Sequence, residues 1–259
     1  MLAEPALYTR THGAGPELVL VHGWGLNGAV WDELAADLTR RFRVTVLDLP
    51  GYGRSPLDGA PYILSWLASE LARAVPRPAT WLGWSLGGLI CQQVAIDFPQ
   101  RVERLIMASS TPRFVRSAGW PSGIAPEVLT QFAGDLAADL RGTLHRFLAL
   151  ASRGSDHARG ELRALRERLL RHGEPAPRAV QGGLALLRDT DLRAELARIR
   201  CPALWVLGER DQLVPASVQE GLSPLMPKGC CAVIGGAAHA PFLSHRTEFA
   251  SLIEEFVCS

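Results

Sequence analysis

Short apolar runs that alternate with stretches of helical periodicity constrain this chain more than any other feature. Runs rich in Val, Leu and Ile stand at 18–21, 44–47, 80–82, 105–107, 203–207 and 232–234. Each is too short for a helix and apolar enough for a strand buried on both faces. Between the early runs, residues 29–38, 65–75 and 89–98 repeat apolar positions at helical spacing. The order strand, helix, strand predicts an α/β fold with a mostly parallel sheet, because parallel neighbours need a crossover long enough to hold a helix. Helices are then expected on both faces of that sheet.

The rhythm stops after Ser110. From 111 to 188 no convincing strand appears, while helical patterns do, as in 160–170; Pro121, Pro126, Pro175 and Pro177 punctuate the stretch. Strand-like signal returns at 203, and residues 247–257 place Phe249, Leu252, Ile253 and Phe256 on one helical face. The division expected is a core of 1–110 and 189–259 with a helical insertion at 111–188. At 259 residues, 47% hydrophobic and 20% charged, the chain can bury such a core as one unit.

A formal net charge of +1 gives little field to attract a polyanion, so no nucleic-acid partner is expected. No apolar run approaches the roughly 20 residues needed to cross a bilayer. The opening Met1-Leu-Ala-Glu-Pro5 has no basic segment followed by an apolar run. A cytoplasmic monomer is expected. Cys91, Cys201, Cys230, Cys231 and Cys258 are odd in number and lack C-x-x-C or metal-ligand spacing, which reads as reduced thiols.

The chemistry begins at Gly83-Trp84-Ser85-Leu86-Gly87-Gly88, between a strand-like run and a helical pattern. A G-x-S-x-G segment in that context makes a sharp elbow that lifts a serine hydroxyl above the sheet edge. By itself the pattern also fits glycines that merely tighten a strand-to-helix turn. Two later motifs favour the elbow. Asp211 follows the 203–207 run, and His239 stands in Gly235-Gly-Ala-Ala-His-Ala-Pro-Phe242 after the 232–234 run. Both fall in loops at the carboxyl edge of the strands, where α/β sheets gather reactive groups. In such a triad His239 takes the Ser85 proton and returns it to the leaving group, while Asp211 orients the imidazole. Asp48 ends the 44–47 run and is the rival acid, although it precedes the nucleophile. His12, His145, His157, His172 and His245 lack comparable context and read as surface or packing residues.

Attack by Ser85 creates an oxyanion, for which backbone amides must already be aimed; each is worth about 3 to 4 kcal/mol. The nominated donors are Leu86, directly after the nucleophile, and Trp24 in His22-Gly23-Trp24-Gly25. The Trp24 indole also suits a pocket wall. This chemistry requires no metal or organic cofactor, and no Gly-rich nucleotide motif or metal-ligand cluster is visible, so none is expected.

Four separated motifs together resemble the α/β-hydrolase superfamily: His22-Gly-Trp-Gly25, Asp48-Leu-Pro-Gly-Tyr-Gly-Arg-Ser55, the Ser85 elbow, and Asp211 with His239. More narrowly, His22-Gly-Trp-Gly-Leu-Asn27, Trp81-Leu-Gly-Trp-Ser-Leu-Gly-Gly-Leu89, Arg146-Phe-Leu-Ala-Leu150 and Ala237-Ala-His-Ala-Pro-Phe242 look like the BioH family of pimeloyl-carrier-protein methyl ester esterases. The resemblance implies an α/β-hydrolase fold with a helical cap at 111–188. It implies hydrolysis of a methyl ester on an acyl chain carried by acyl carrier protein, in biotin synthesis. It carries over Ser85, Asp211 and His239 as the triad, Trp24 and Leu86 as oxyanion donors, and Phe147 as a pocket wall.

Between 141 and 171 eight arginines face three acids, Asp156, Glu161 and Glu167. One reading is a solvated helix face, partly paired as Arg163 with Glu167 and Glu167 with Arg171. The other is a docking surface in which Arg146, Arg159 and Arg163 hold an acidic carrier protein or its phosphorylated arm. Beneath it Trp120, Phe132, Phe147, Leu148 and Leu150 are candidates for an acyl channel or for ordinary packing. Other functions stay open: a general short-chain carboxylesterase acting on small esters, a thioesterase, a carbon-carbon hydrolase, or a ligand-binding homologue without chemistry. Familiar haloalkane dehalogenases and epoxide hydrolases would require a carboxylate at position 85.

Overall fold

In the computed structural model, which describes residues 7–226 and 229–258, the predicted alternation forms element by element. In chain order these are β1 (Thr9–His12), β2 (Glu17–Val21), α1 (Asp32–Leu38), β3 (Arg43–Leu47), α2 (Leu64–Ala74), β4 (Ala79–Trp84), α3 (Leu86–Asp97) and β5 (Val102–Ala108). Four helices follow: α4 (Pro126–Ala138), α5 (Leu140–Ser152), α6 (Ala158–Leu169) and α7 (Pro177–Asp189). The chain closes with β6 (Ala203–Gly208), α8 (Val218–Leu222), β7 (Gly229–Ile234), α9 (Pro241–Ser244) and α10 (Arg246–Cys258). Residues 1–6, where the sequence leads to no expectation of a leader, lie outside the described residues.

The strands form one sheet in the order β1-β3-β2-β4-β5-β6-β7, parallel throughout except for β1 against β3. Every residue of β4 and β6 is buried, as the unbroken apolar runs required. Helices α2 and α3 pack together, with α3 against β4 and β5, while α1 packs against β3 and α10.

Edge strands depart from the sequence expectation. Thr9–His12 has no apolar run; it is fixed by pairing with β3 and by a 2.9 Å contact between the Thr11 and Thr45 hydroxyls. β7 starts at Gly229, ahead of the apolar residues 232–234, and Cys230 and Cys231 are exposed there. An edge strand is specified by its ladder more than by burial, so hydrophobic patterning under-reads it. Similarly, α3 begins at Leu86 and not at 89, because Gly87 and Gly88 leave the periodicity silent over its first turn.

The α4–α7 helices are tied to core loops at the carboxyl ends of β2 and β3. Trp24 Nε1 donates to the Val180 carbonyl at 2.8 Å, the Tyr52 hydroxyl to Ala179 at 3.0 Å, and Asn27 Nδ2 to Arg168 at 3.0 Å. Arg168 pairs with Glu33 of α1 at 2.5 Å. Arg171 bonds Asp32 of α1 at 2.8 Å instead of the helical partner Glu167 that spacing had suggested. No described helix is long and apolar enough to cross a membrane.

Candidate active site

Ser85 follows β4 directly and precedes α3, with φ 54° and ψ −119°. A non-glycine residue in that region costs about 1 to 3 kcal/mol and persists only where its surroundings hold it. Here the Ser85 amide donates to the Ala108 carbonyl at 3.0 Å, and the Ser110 hydroxyl donates to the Ser85 carbonyl at 2.8 Å. The flanking glycines are required by close approach. A Cβ on Gly83 would lie 2.4 Å from the Gly87 carbonyl oxygen, and one on Gly87 would lie 2.5 Å from the Val21 and His22 carbonyl oxygens. The glycines therefore do more than shorten a turn, because they let the elbow sit against the end of β2.

The structure brings Ser85, His239 and Asp211 together in that order. Ser85 Oγ lies 2.9 Å from His239 Nε2, and His239 Nδ1 lies 2.8 Å from Asp211 Oδ2. All three are buried. The other Asp211 oxygen accepts from the Leu213 and Val214 amides at 2.8 and 2.9 Å, which fixes the carboxylate plane. With a carboxylate accepting from Nδ1–H, the lone pair of Nε2 is turned toward the Ser85 hydroxyl. The His239 loop is held on both sides of the peptide: its amide donates to the Ala151 carbonyl at 3.1 Å, and its carbonyl accepts from Trp84 Nε1 at 2.6 Å. Trp84 also stacks edge-on to Phe242 at 5.1 Å, and Phe242 meets Trp31 at 4.2 Å.

Asp48, the rival acid, has a different task. It accepts from the Gly28 amide at 2.7 Å and from the Arg54 amide and Nε at 2.9 Å each. Burial works to raise its carboxyl and is the largest single influence, but the Arg54 side chain, His22 and the Arg54 and Gly28 amides together lower the pKa. His22 is fixed beside it, with Nδ1 donating to the Gly23 carbonyl at 2.8 Å and Nε2 accepting from the Leu49 amide at 2.9 Å. Burial keeps its pKa low against the pull of Asp48, which suits a neutral ring. Together these bonds fix the loop that carries Gly23 and Trp24.

Trp24 is buried, with its ring 4.7 Å from Phe147, and Phe147 meets Phe132 at 5.9 Å. Leu86 supplies the first amide of α3, where a helix has no internal acceptor. Gly183 of α7 sits against Trp24, Leu86 and the Tyr52 hydroxyl; its Cβ would reach them at 2.8 to 3.0 Å. Trp120 stands apart from this group, packed on Gly221 of α8. Of the nominated arginines, Arg159 and Arg163 are exposed on α6, with Glu167 3.9 Å from Arg163. Arg146 on α5 is engaged by Asp135 at 3.1 Å and Asp139 at 3.6 Å.

Two supporting contacts carried no motif in the sequence: the Ser110 hydroxyl on the Ser85 carbonyl and Trp84 as a donor to the His239 carbonyl. Ser110 and Trp84 had a signal in adjacency, since one ends the run before the break and the other lies inside the elbow. Among the described residues no group of three or more His, Cys, Asp or Glu side chains is placed to hold a metal ion.

The sequence matches the family described as alpha/beta hydrolase fold over residues 16–246. The chain belongs to the α/β-hydrolase family. Among α/β-hydrolase relatives, a "pimeloyl-[acyl-carrier protein] methyl ester esterase" of Xanthomonas axonopodis pv. citri is 48% identical over 95% of this chain and 97% of its own length. A protein of the same name from Aeromonas salmonicida is 46% identical over 95% and 96%. Of solved structures, a hydrolase from Pseudomonas aeruginosa has a TM-score of 0.78 at 30% identity, covering 98% of this chain and 94% of that one. An esterase from Exiguobacterium antarcticum has a TM-score of 0.88 at 23% identity, covering 98% and 96%, and speaks for the fold alone.

Proposed function

We propose that this chain is a serine carboxylesterase that hydrolyses the methyl ester of a pimeloyl chain carried on acyl carrier protein, a step of biotin biosynthesis. The observation that carries the reading is the Ser85, His239 and Asp211 relay, at 2.9 and 2.8 Å, in a chain nearly half identical over 95% of its length to esterases of that name. In this mechanism His239 Nε2 takes the Ser85 proton as Oγ attacks the ester carbonyl. The amides of Trp24 and Leu86 receive the oxyanion. Collapse breaks the bond to the methoxy oxygen, which leaves as methanol with the proton from His239. Water, deprotonated by His239, then attacks the acyl-enzyme and releases the carboxylate and Ser85. The acyl chain remains joined to its carrier.

The insertion at 111–188, which carries α4 to α6 and all of α7 but its last residue, acts in this reading as a cap, with Trp24 and Phe147 walling the acyl site. Arg159 and Arg163, exposed on α6, and Arg146 on α5 form the docking face for an acidic carrier. Reversing Arg159 and Arg163 to Glu should weaken carrier-linked turnover and spare a small soluble ester; equal loss on both would count against docking there. The enzyme acts as a cytoplasmic monomer without a cofactor.

The deciding experiment compares pimeloyl-carrier-protein methyl ester with a short p-nitrophenyl ester, using wild type and Ser85→Ala. Preference for the carrier-linked ester, abolished in Ser85→Ala, is the expected result. Turnover of only the small ester would leave a general carboxylesterase. Activity on neither would leave a ligand-binding protein.

A further inference from the structure

Glu161, in the first turn of α6, is a carboxyl placed where a charge has little support. The residue is 3% exposed, and neither side-chain oxygen closes a hydrogen bond of good geometry. The Ser155 hydroxyl and the Ala240 amide face it, and Asp211 acts on it through its charge. Ala240 directly follows His239. A side chain from the inserted helices thus faces the loop that holds the imidazole and lies within range of the Asp211 charge.

Among the described residues no cation is bonded to it. Helix α6 packs on α5, on α9 and on the Gly28–Trp31 turn. Neither α9 nor that turn has an ionisable side chain, and Trp31 Nε1 is buried there without a partner. On α5, Arg141 is bonded to Glu174, Arg146 is engaged by Asp135 and Asp139, and His145 Nδ1 is unpartnered. On α6 itself the two terminal nitrogens of Arg168 are bonded to the Ala164 carbonyl and to Glu33, while its Nε is buried without a partner. Arg210, in the Asp211 loop, is paired with Asp156 at 2.5 Å. His157 and His245 meet each other, with ring centroids 5.3 Å apart.

We propose that Glu161 is a positioning residue for the reaction at Ser85 that must carry a proton: neutral, it lets α6 close on the His239 loop, and ionised, it sets a second buried negative charge beside Asp211 and loosens that closure. The inference rests on the Ser85 mechanism proposed above. Burial, opposed by the Ser155 hydroxyl and reinforced by the Asp211 charge, raises the Glu161 carboxyl to about 7. Ionisation therefore falls near neutral pH, and the two carboxylates then repel in a region poor in water. The amide of His239 is bonded to Ala151 at the end of α5, and that of Asp156 to the Gly236 carbonyl. Movement at the start of α6 is in this way transmitted to the imidazole.

The test is the pH profile of kcat/KM on a short p-nitrophenyl ester for wild type, Glu161→Gln and Glu161→Ala, from about pH 5.5 to 9. Wild type should lose several-fold above about pH 7, and Glu161→Gln should lack that descending limb, whatever its absolute rate. A purely structural role predicts lower activity in Glu161→Ala with the wild-type limb retained in Glu161→Gln, which would overturn the proposal. Amide hydrogen exchange in wild type is the second measurement and needs no variant to fold. After correction for intrinsic rates, residues 155–163 should exchange about tenfold faster at about pH 8.5 than at about pH 6. Equal protection at both values would also overturn it. Absence of ester hydrolysis in every form would refute the Ser85 mechanism, while the exchange result would still decide whether Glu161 titrates the closure.

Discussion

Replacing Asp211 with asparagine, beside the same change at Asp48, tests the proposal that Asp211 orients the imidazole while Asp48 holds a loop. Asparagine at 211 keeps an oxygen for the Leu213 and Val214 amides, which now meet Oδ1 at 2.8 and 2.9 Å. It presents an NH₂ where Oδ2 now accepts from His239 Nδ1 at 2.8 Å. The imidazole then turns its unprotonated Nδ1 toward residue 211 and puts its proton on Nε2, which faces Ser85 Oγ at 2.9 Å. A base that already bears the proton cannot accept one. Loss of the correct tautomer in such a relay costs about 10⁴ in kcat, or about 5.5 kcal/mol of barrier. Because the two amide bonds survive, the melting temperature should move little. Asp48→Asn breaks charge-assisted bonds to Arg54 and the Gly28 amide, and should cost about 1 to 3 kcal/mol of stability with a far smaller loss of kcat. The assay is kcat on a p-nitrophenyl ester together with thermal unfolding of the same preparations. Wild-type kcat in Asp211→Asn, or a 10⁴-fold loss confined to Asp48→Asn, would refute the assignment.

Further outcomes follow from contacts of the same kind. Gly87→Ala places a Cβ 2.5 Å from the Val21 and His22 carbonyls, so elbow and loop must part by about 0.9 Å to reach ordinary contact; a displacement of that order should lower kcat/KM about 100-fold. Trp84→Phe removes the donor to the His239 carbonyl and should cost about 1 to 3 kcal/mol in urea unfolding, with a fall in kcat and little change in KM. The raised Glu161 carboxyl makes stability fall with pH. The unfolded chain ionises it near 4.5, while the folded chain keeps the proton to about 7, so the loss accumulates across that window and reaches about 3 kcal/mol above it. Urea titrations of wild type and Glu161→Gln should converge below that window and diverge above it; parallel curves would contradict the assignment.

The order of strands and helices, the elbow and the two loops bearing Asp211 and His239 were legible in the sequence. Buried parallel strands must be apolar without interruption, and a strained turn packed against a neighbouring strand must be flanked by residues with no side chain; both demands are local and leave marks in the residues themselves. The sequence could not say that Arg171 would bond Asp32, that Asp48 would accept from the Gly28 amide, or that Trp84 would hold the His239 carbonyl. Those pairings join residues brought near only by the closed fold, and chain spacing carries no record of them. Glu161 is the sharpest case. On the helix pattern it is an acid that offsets a row of arginines, whereas in the folded protein Arg141, Arg146, Arg168 and Arg171 bond other acids, Arg159 and Arg163 are exposed, and the carboxyl is buried within reach of the Asp211 charge. Local sequence decided which groups the chain would have, and tertiary packing decided which of them would lose water, because burial depends on what lies across the gap and not on what lies next in the chain.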